Sequence, residues 1–410
     1  MTLDWISRDG KLILSARIVR TFSYGFLSII LAIYLKLMGF DDLLIGFVLT
    51  ATLINSVIFN LLSSAFADKF GRKKLLIIYA ILMAVSAIIF YFTSNYLALI
   101  IAALIGTINV TGSEVGAFLS LEQAILPQTV SDIKKRNSIF AIYNMAGTFA
   151  MSAGILLSAL PGILENSGIT RIESVKVLFL LYAMCALAMI GIYLVLSSKI
   201  EIGCPSKMRS ESRKISPRSK GIIAKMSMLF AVDSFAGGFV IQSIVSLWFY
   251  SKFGQDLTTL SYVFGAAGVL TALSFLFATK IASKVGLVNT MVFTHIPSNV
   301  LLVILAFAPS FQIAVVIYLA RMALSQMDVP TRQSYIVAIV NENERVAAAG
   351  ITNTSRNVAQ SISPSLAGFV IQGLSLSAPF VFGGILKIAY DIGVFVNFRK
   401  IKPLDEELNP

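Results

Sequence analysis

Ser64-Ala65-Phe66-Ala67-Asp68-Lys69-Phe70-Gly71-Arg72-Lys73-Lys74 joins two long apolar runs, near 43–66 and 75–93. A cluster of lysine and arginine in a short loop between apolar runs marks the face of a membrane that retains positive charge. Gly71 lets the chain reverse sharply there, because it lacks a Cβ. Asp68 is an acid among cations, and an acid at that place suits the positive N-terminal end of a neighbouring helix. Arg72 is placed to reach a carboxylate, and Glu122 in Leu121-Glu122-Gln123 is the candidate. The plain alternative is that Lys69 to Lys74 only orient the chain, but orientation alone requires neither Asp68 nor Gly71.

The pattern repeats on both sides of this loop. Further apolar runs lie near 12–38, 97–126, 138–161 and 175–198, then near 223–250, 258–281, 287–308, 311–340, 347–371 and 378–398. Each is long enough to cross a bilayer, which takes about 20 residues. Hydrophobic residues form 57% of the chain and charged ones 13%, against roughly 25% charged in a soluble domain. A large soluble catalytic domain is therefore excluded. The net charge of +12 does not indicate nucleic acid, since the cations sit in alternate loops: Lys134, Lys135 and Arg136, then Lys199 to Lys220, then Arg399, Lys400 and Lys402. That bias predicts a plasma-membrane protein with both termini in the cytoplasm.

The layout reads as an all-α integral membrane protein of twelve transmembrane helices in two pseudo-symmetric six-helix bundles. Residues 1–198 form the first bundle and 223–398 the second. Residues 199–222 form a basic cytoplasmic linker, and 399–410 a cytoplasmic tail. The halves match each other: Asp68-Lys69-Phe70-Gly71 corresponds to Ser283-Lys284-Val285-Gly286, and Arg20 to Gly25 mirrors Asp233 to Gly238. Two parallel six-span repeats form the framework of a carrier that works about a central site.

The 64–74 stretch closely resembles the signature loop between spans 2 and 3 of the major facilitator superfamily, and the twelve-span layout extends the resemblance over nearly the whole chain. The family's leading glycine is Ser64 here, and the second copy has Ser283 in place of the acid. The resemblance implies a cytoplasmic gate built from Asp68, Gly71 and Arg72 with Glu122, Asp68 facing the start of span 11 near Ala347. It also implies a cavity lined by spans 1, 4, 7 and 10. The Gly-Pro pair found in span 5 of many proton-driven exporters is absent. That span reads Gly147-Thr148-Phe149-Ala150-Met151-Ser152-Ala153-Gly154, and a Ser363-Pro364-Ser365 run stands in span 11 instead.

Ionisable groups at membrane depth are costly and generally face a cavity or a partner. The substrate and proton candidates are Arg20, Glu114, Asp233, Arg321, Asp328 and Arg356. Arg321 is the expected partner of Asp233, and Arg20 that of Glu114. Arg17 is close enough to the membrane surface to snorkel, and Arg332 is a candidate gate residue. Lys387 and Asp391, spaced i,i+4, are expected to satisfy each other. His295, the sole histidine, reads as a satisfied helix residue. No phosphate-binding glycine loop, CxxC pair or nucleophile–base cluster occurs, so neither an enzyme nor a cofactor or metal site is expected. The leading expectation is a monomeric secondary transporter of a small solute, using protons to export organic compounds by alternating access. One alternative is an organic-anion or phosphate-ester carrier using the cavity arginines; another is a non-transporting membrane sensor.

Overall fold

The computed structural model describes residues 5–113, 116–130, 136–201, 216–340 and 344–399. Each expected apolar run contains helix. In the first half the helices are α1 (Arg8–Leu37), α2 (Asp42–Phe70), α3 (Arg72–Phe92), α4 (Tyr96–Ile105), α5 (Ala117–Ile125), α6 (Arg136–Leu157), α7 (Leu160–Asn166) and α8 (Arg171–Leu194). The second half holds α9 (Pro217–Gly238), α10 (Gln242–Phe253), α11 (Leu257–Val285), α12 (Leu287–Ala306), α13 (Phe311–Ser325), α14 (Asp328–Ile339), α15 (Arg345–Gly373) and α16 (Ala378–Phe398). Spans 4, 7 and 10 are each two helices, α4–α5, α9–α10 and α13–α14. Nine helical segments among the described residues are long and apolar enough to cross a membrane. α4 and α13 are short because their spans are broken, while α15 is polar, with Asn353, Arg356, Asn357 and Gln360 along it.

Short polar residues open the helices where the chain turns. Ser7, Asp41, Asn95, Thr170 and Ser310 each accept a hydrogen bond from a backbone N–H of the first turn, which satisfies a donor the helix itself cannot. The Thr170 hydroxyl also donates to the Glu173 carboxylate at 2.7 Å, which steadies the cap. Gly71 and its counterpart Gly286 both adopt positive φ, +91° and +86°, a conformation that a side chain resists.

The chain packs as two compact units, Met1–Arg209 with Ile241–Gly265, and Ser210–Val240 with Ala266–Pro410. The expected boundary left all of span 7 in the second bundle. Packing instead puts α9 in the second unit and α10 in the first. The cause lies in α10 itself: Ser243 donates to the Ser28 carbonyl at 2.7 Å and Ser246 to that of Ile29 at 2.8 Å, and Trp248 and Phe249 are fully buried. Residues 202–215 of the expected linker lie outside the described residues; Ser198–Glu201 is a 3-10 turn, and Pro217 already opens α9.

In the first unit α1 is the central helix, buried along most of its length and packed on α6, α8 and α10. Its crossing with α6 is backbone against backbone. A methyl group at Gly25 would fall on the Met151 carbonyl, and one at Gly154 on that of Phe22. Small residues permit such close approach where lipid provides no hydrophobic drive for helix pairing. In the second unit Gly238 of α9 lies against the Ser363 side chain and the Gln360 carbonyl of α15. Outward faces present Phe92, Met228 and Phe307, each more than two-thirds exposed, as expected of surfaces that lipid covers.

Candidate functional site

The first unit holds its charge in a closed cluster. Arg20 of α1 donates through both terminal nitrogens to the Glu122 carboxylate of α5, at 2.7 and 2.6 Å, and both side chains are 0% exposed. Tyr143 of α6 and Tyr193 of α8 donate to the same carboxylate at 2.6 and 2.7 Å. The Arg20 guanidinium also lies over the Phe118 ring, 4.8 Å from its centre. Arg17 stacks on Tyr143 at 4.2 Å and donates to its hydroxyl at 3.2 Å; it is buried, so the expected snorkelling to the surface does not occur. A two-pronged pair with its remaining lone pairs satisfied is the arrangement that makes a buried ion pair tolerable.

This arrangement corrects the gate expectation. Glu122 is engaged deep in the unit by Arg20, while the Arg72 side chain donates to the Ala124 carbonyl at 3.3 Å. The backbone N–H groups of Arg72 and Lys73 donate to Glu201, at 2.7 and 2.9 Å. Lys73 reaches the carbonyls of Leu194 and Leu196, and Ser197 donates its backbone N–H to Asp9. The signature loop is thus tied to the chain just after span 6. The Asp68 side chain and the whole of Glu114 lie outside the described residues, so neither the expected Asp68 contact with span 11 nor the Glu114–Arg20 pair falls within them.

Span 4 leaves the helix after Ile105 and resumes it at Ala117. Asn109 organises the break, its Oδ1 accepting from the N–H of Thr111 and Gly112 and its Nδ2 donating to the Ser113 carbonyl. The Ser243 N–H donates to the Val110 carbonyl at 3.2 Å, so the break also serves as a dock for α10. A small enclosed space beside it is lined by Tyr24, Asn55, Phe59, Thr107 and Phe118. Irregular backbone at this depth occurs where protein or a cavity satisfies it.

The second unit carries a broader network. Asp233 of α9 accepts from Lys387 of α16 at 2.6 Å and from Arg332 of α14 at 3.4 Å; Arg332 also donates to Asp328 at 2.8 Å. Arg356 of α15 donates to the Ser234 hydroxyl at 2.8 Å. Two expectations are corrected here. Lys387 serves Asp233 rather than Asp391, because its long stem reaches across to α9. Asp391 instead bonds His295 at 2.8 Å and Asn299 at 2.9 Å on α12. Arg321 is not the partner of Asp233 either; it contacts the Met322 sulfur at 3.4 Å, and its Nε is buried without a hydrogen-bond partner among the described residues. A groove of about 720 Å³ is lined by Ala231 of α9 and by Ile351, Thr354, Ser355 and Val358 of α15.

Sequence reading missed Tyr143, Tyr193, Glu201 and Asn299. Only Glu201 left a trace, as an acid directly ahead of a basic segment. Set side by side, Arg20–Glu122 and Asp233–Arg332 join spans 1 to 4 and 7 to 10 with the signs of charge exchanged.

The Saccharomyces cerevisiae protein named uncharacterized membrane protein YJR124C is 25% identical over 417 residues, spanning 94% of this chain and 93% of its own. Among solved structures, that of the nucleoside transporter NupG superposes with a TM-score of 0.76 at 14% identity, over 95% of this chain and 100% of its own. A D-xylose-proton symporter superposes equally well, at 0.76 and 14%, over 96% and 97%. These likenesses are in fold. The family profile of the Major Facilitator Superfamily matches residues 13–327 and, a second time, 229–410. With helices on all twelve expected spans and a profile match along nearly its whole length, the chain belongs to the major facilitator superfamily.

Proposed function

We propose that this protein is a secondary active transporter that exports small organic compounds across the plasma membrane in exchange for protons, with both termini cytoplasmic. The observation that carries the reading is the division of span 7: α9 belongs to the second unit and α10 to the first. Beside the buried Trp248 and Phe249, the α10 attachment includes hydroxyl-to-carbonyl bonds from Ser243 and Ser246 and the Gln242 amide donating to the Ser28 hydroxyl at 3.1 Å. Such bonds exchange with water at modest net cost, about 1 kcal/mol each. A half-span held this way suits an element that docks and undocks as access alternates. The groove beside α15, apolar with hydroxyls from Thr354 and Ser355, suits an amphipathic solute.

Coupling rests on Asp233. A carboxylate held by Lys387 and Arg332 stays ionised, whereas one released into a dry cavity takes up a proton. Asp233→Asn is expected to abolish solute accumulation driven by a pH gradient while exchange persists. The measurement is uptake into liposomes of a labelled panel of nucleosides, pentoses, organic cations and organic anions. Normal accumulation by the variant would make Asp233 structural. One observation favours the anion-carrier reading instead: Arg321 has no acidic partner among the described residues. Saturable uptake confined to the anions, and lost in Arg321→Gln, would put that reading first.

A further inference from the structure

Three acids are buried in the network of the second unit, and they are not held alike. Asp233 has Lys387 at 2.6 Å and Asp328 has Arg332 at 2.8 Å. Asp391, 1% exposed, has no lysine or arginine at ion-pair distance among the described residues. Lys387 stands one turn away on the same helix but is engaged by Asp233. The partners of Asp391 are His295, 3% exposed, through Nδ1 to Oδ1 at 2.8 Å, and Asn299, fully buried, through Nδ2 to Oδ2 at 2.9 Å. Of the described residues bonded to this carboxylate, the imidazole is the one that can become a cation.

We propose that the second unit binds an exchangeable proton at His295, on the imidazole paired with Asp391. With Nδ1–H donating to Asp391, Nε2 is the base; uptake places a proton on Nε2 and gives a hydrogen-bonded imidazolium–carboxylate pair, and release returns the neutral ring. Asp233, Asp328 and Asp391 share this unit with Lys387, Arg332, Arg356 and Arg321, so a proton taken up by the ring adds a further positive charge. An uncompensated charge in a low-dielectric interior couples strongly to any rearrangement of its neighbours, and imidazole is the side chain whose ordinary titration falls at physiological pH.

The helix of the ring, α12, packs on α13, α14 and α16. The charged and titratable groups that these helices bring to the network are Arg321 of α13, Asp328 and Arg332 of α14, and Lys387, Tyr390 and Asp391 of α16; Asp233 of α9 and Arg356 of α15 complete it. Tyr390 meets the ring edge to face, 6.0 Å between centres. Asn299 Oδ1 is buried without a partner among the described residues, while its Nδ2 lies 3.2 Å from His295 Nδ1. The inference relies on the coupling reading only for what the proton accomplishes, not for where it sits.

The test uses the sole histidine as its own probe. The full chain, labelled with ¹⁵N-histidine and freed of any affinity tag, is placed in lipid nanodiscs and titrated by NMR. A single transition of the imidazole nitrogens between about pH 5 and 8 is expected. It should move by about one unit or more toward lower pH in Asp391→Asn, which removes the charge that favours the imidazolium. In Lys387→Met, which removes a nearby cation without touching the ring, it should move the other way. An imidazole that keeps one protonation state from pH 5 to 9 in the wild type overturns the proposal whether or not the variants fold. So does a transition that Asp391→Asn leaves in place. The readout needs no solute: titration without solute accumulation would leave the proton site and remove the carrier reading, and accumulation without titration would do the reverse.

Discussion

Arg20 illustrates how a single side chain is decided by its surroundings. Its place one third of the way along an apolar helix marks it as costly and partnered, and that is legible from spacing alone. The partner is not, because Glu122 stands 102 positions away and nothing in local pattern distinguishes it from Glu114. The pair is sealed, so losing either member strands the other. Arg20→Met and Glu122→Leu are each expected to destabilise the protein by about 3–5 kcal/mol, and the double variant by clearly less than the sum. Thermal unfolding in lipid nanodiscs checks this; single variants that melt with the wild type would show the pair to be dispensable. Tyr193→Phe, which leaves Arg20 to hold the carboxylate, should cost less, about 1.5–3 kcal/mol for a bond to a charged group.

Helix boundaries were well marked by caps and glycines, since these obey local backbone rules. The breaks within spans 4, 7 and 10 were not, although glycines and polar residues such as Gly106, Asn109, Gly112, Gly237, Gly238 and Gln326 stand at them, because the flanking apolar residues read as one run. α3 begins at Arg72 with no side-chain cap of its own, and Glu201 supplies the acceptor from elsewhere in the chain. Glu201→Ala should therefore free the first turn of α3, costing about 1 kcal/mol. Hydrogen exchange at Arg72 and Lys73 should quicken while exchange at the centre of α3 is unchanged. Uniform protection across the helix in that variant would assign the cap to another group. Where α1 crosses α6, Gly154→Leu should prevent close approach and lower the melting temperature, because the intruding carbon meets backbone rather than a movable side chain.

For the molecule as a carrier, movement of α10 is the decisive expectation. With Cys185 and Cys204 replaced, Ser28→Cys combined with Gln242→Cys should form a disulfide under mild oxidation, since the native side chains touch at 3.1 Å. Transport should stop on oxidation and return on reduction. Undiminished uptake by the cross-linked protein would mean that α10 stays docked throughout the cycle. Orientation is checked separately: cysteine placed at Ser212 should resist membrane-impermeant label in intact cells and react once the cells are opened.

Composition, apolar run length and the alternation of basic loops suffice for a twelve-span membrane protein with an internal repeat, because those properties depend on each segment's own transfer into lipid. The signature loop adds the family, since its glycine and charges act within a single turn. Partnership is different in kind. That Glu122 meets Arg20 rather than Arg72, that Lys387 bonds Asp233 and leaves Asp391 to His295, and that α10 joins α1 are outcomes of packing. A buried charge takes the partner that the crossing helices bring within about 3 Å, and Gly25, Gly154 and Gly238 set those crossings through contacts between residues far apart in the chain.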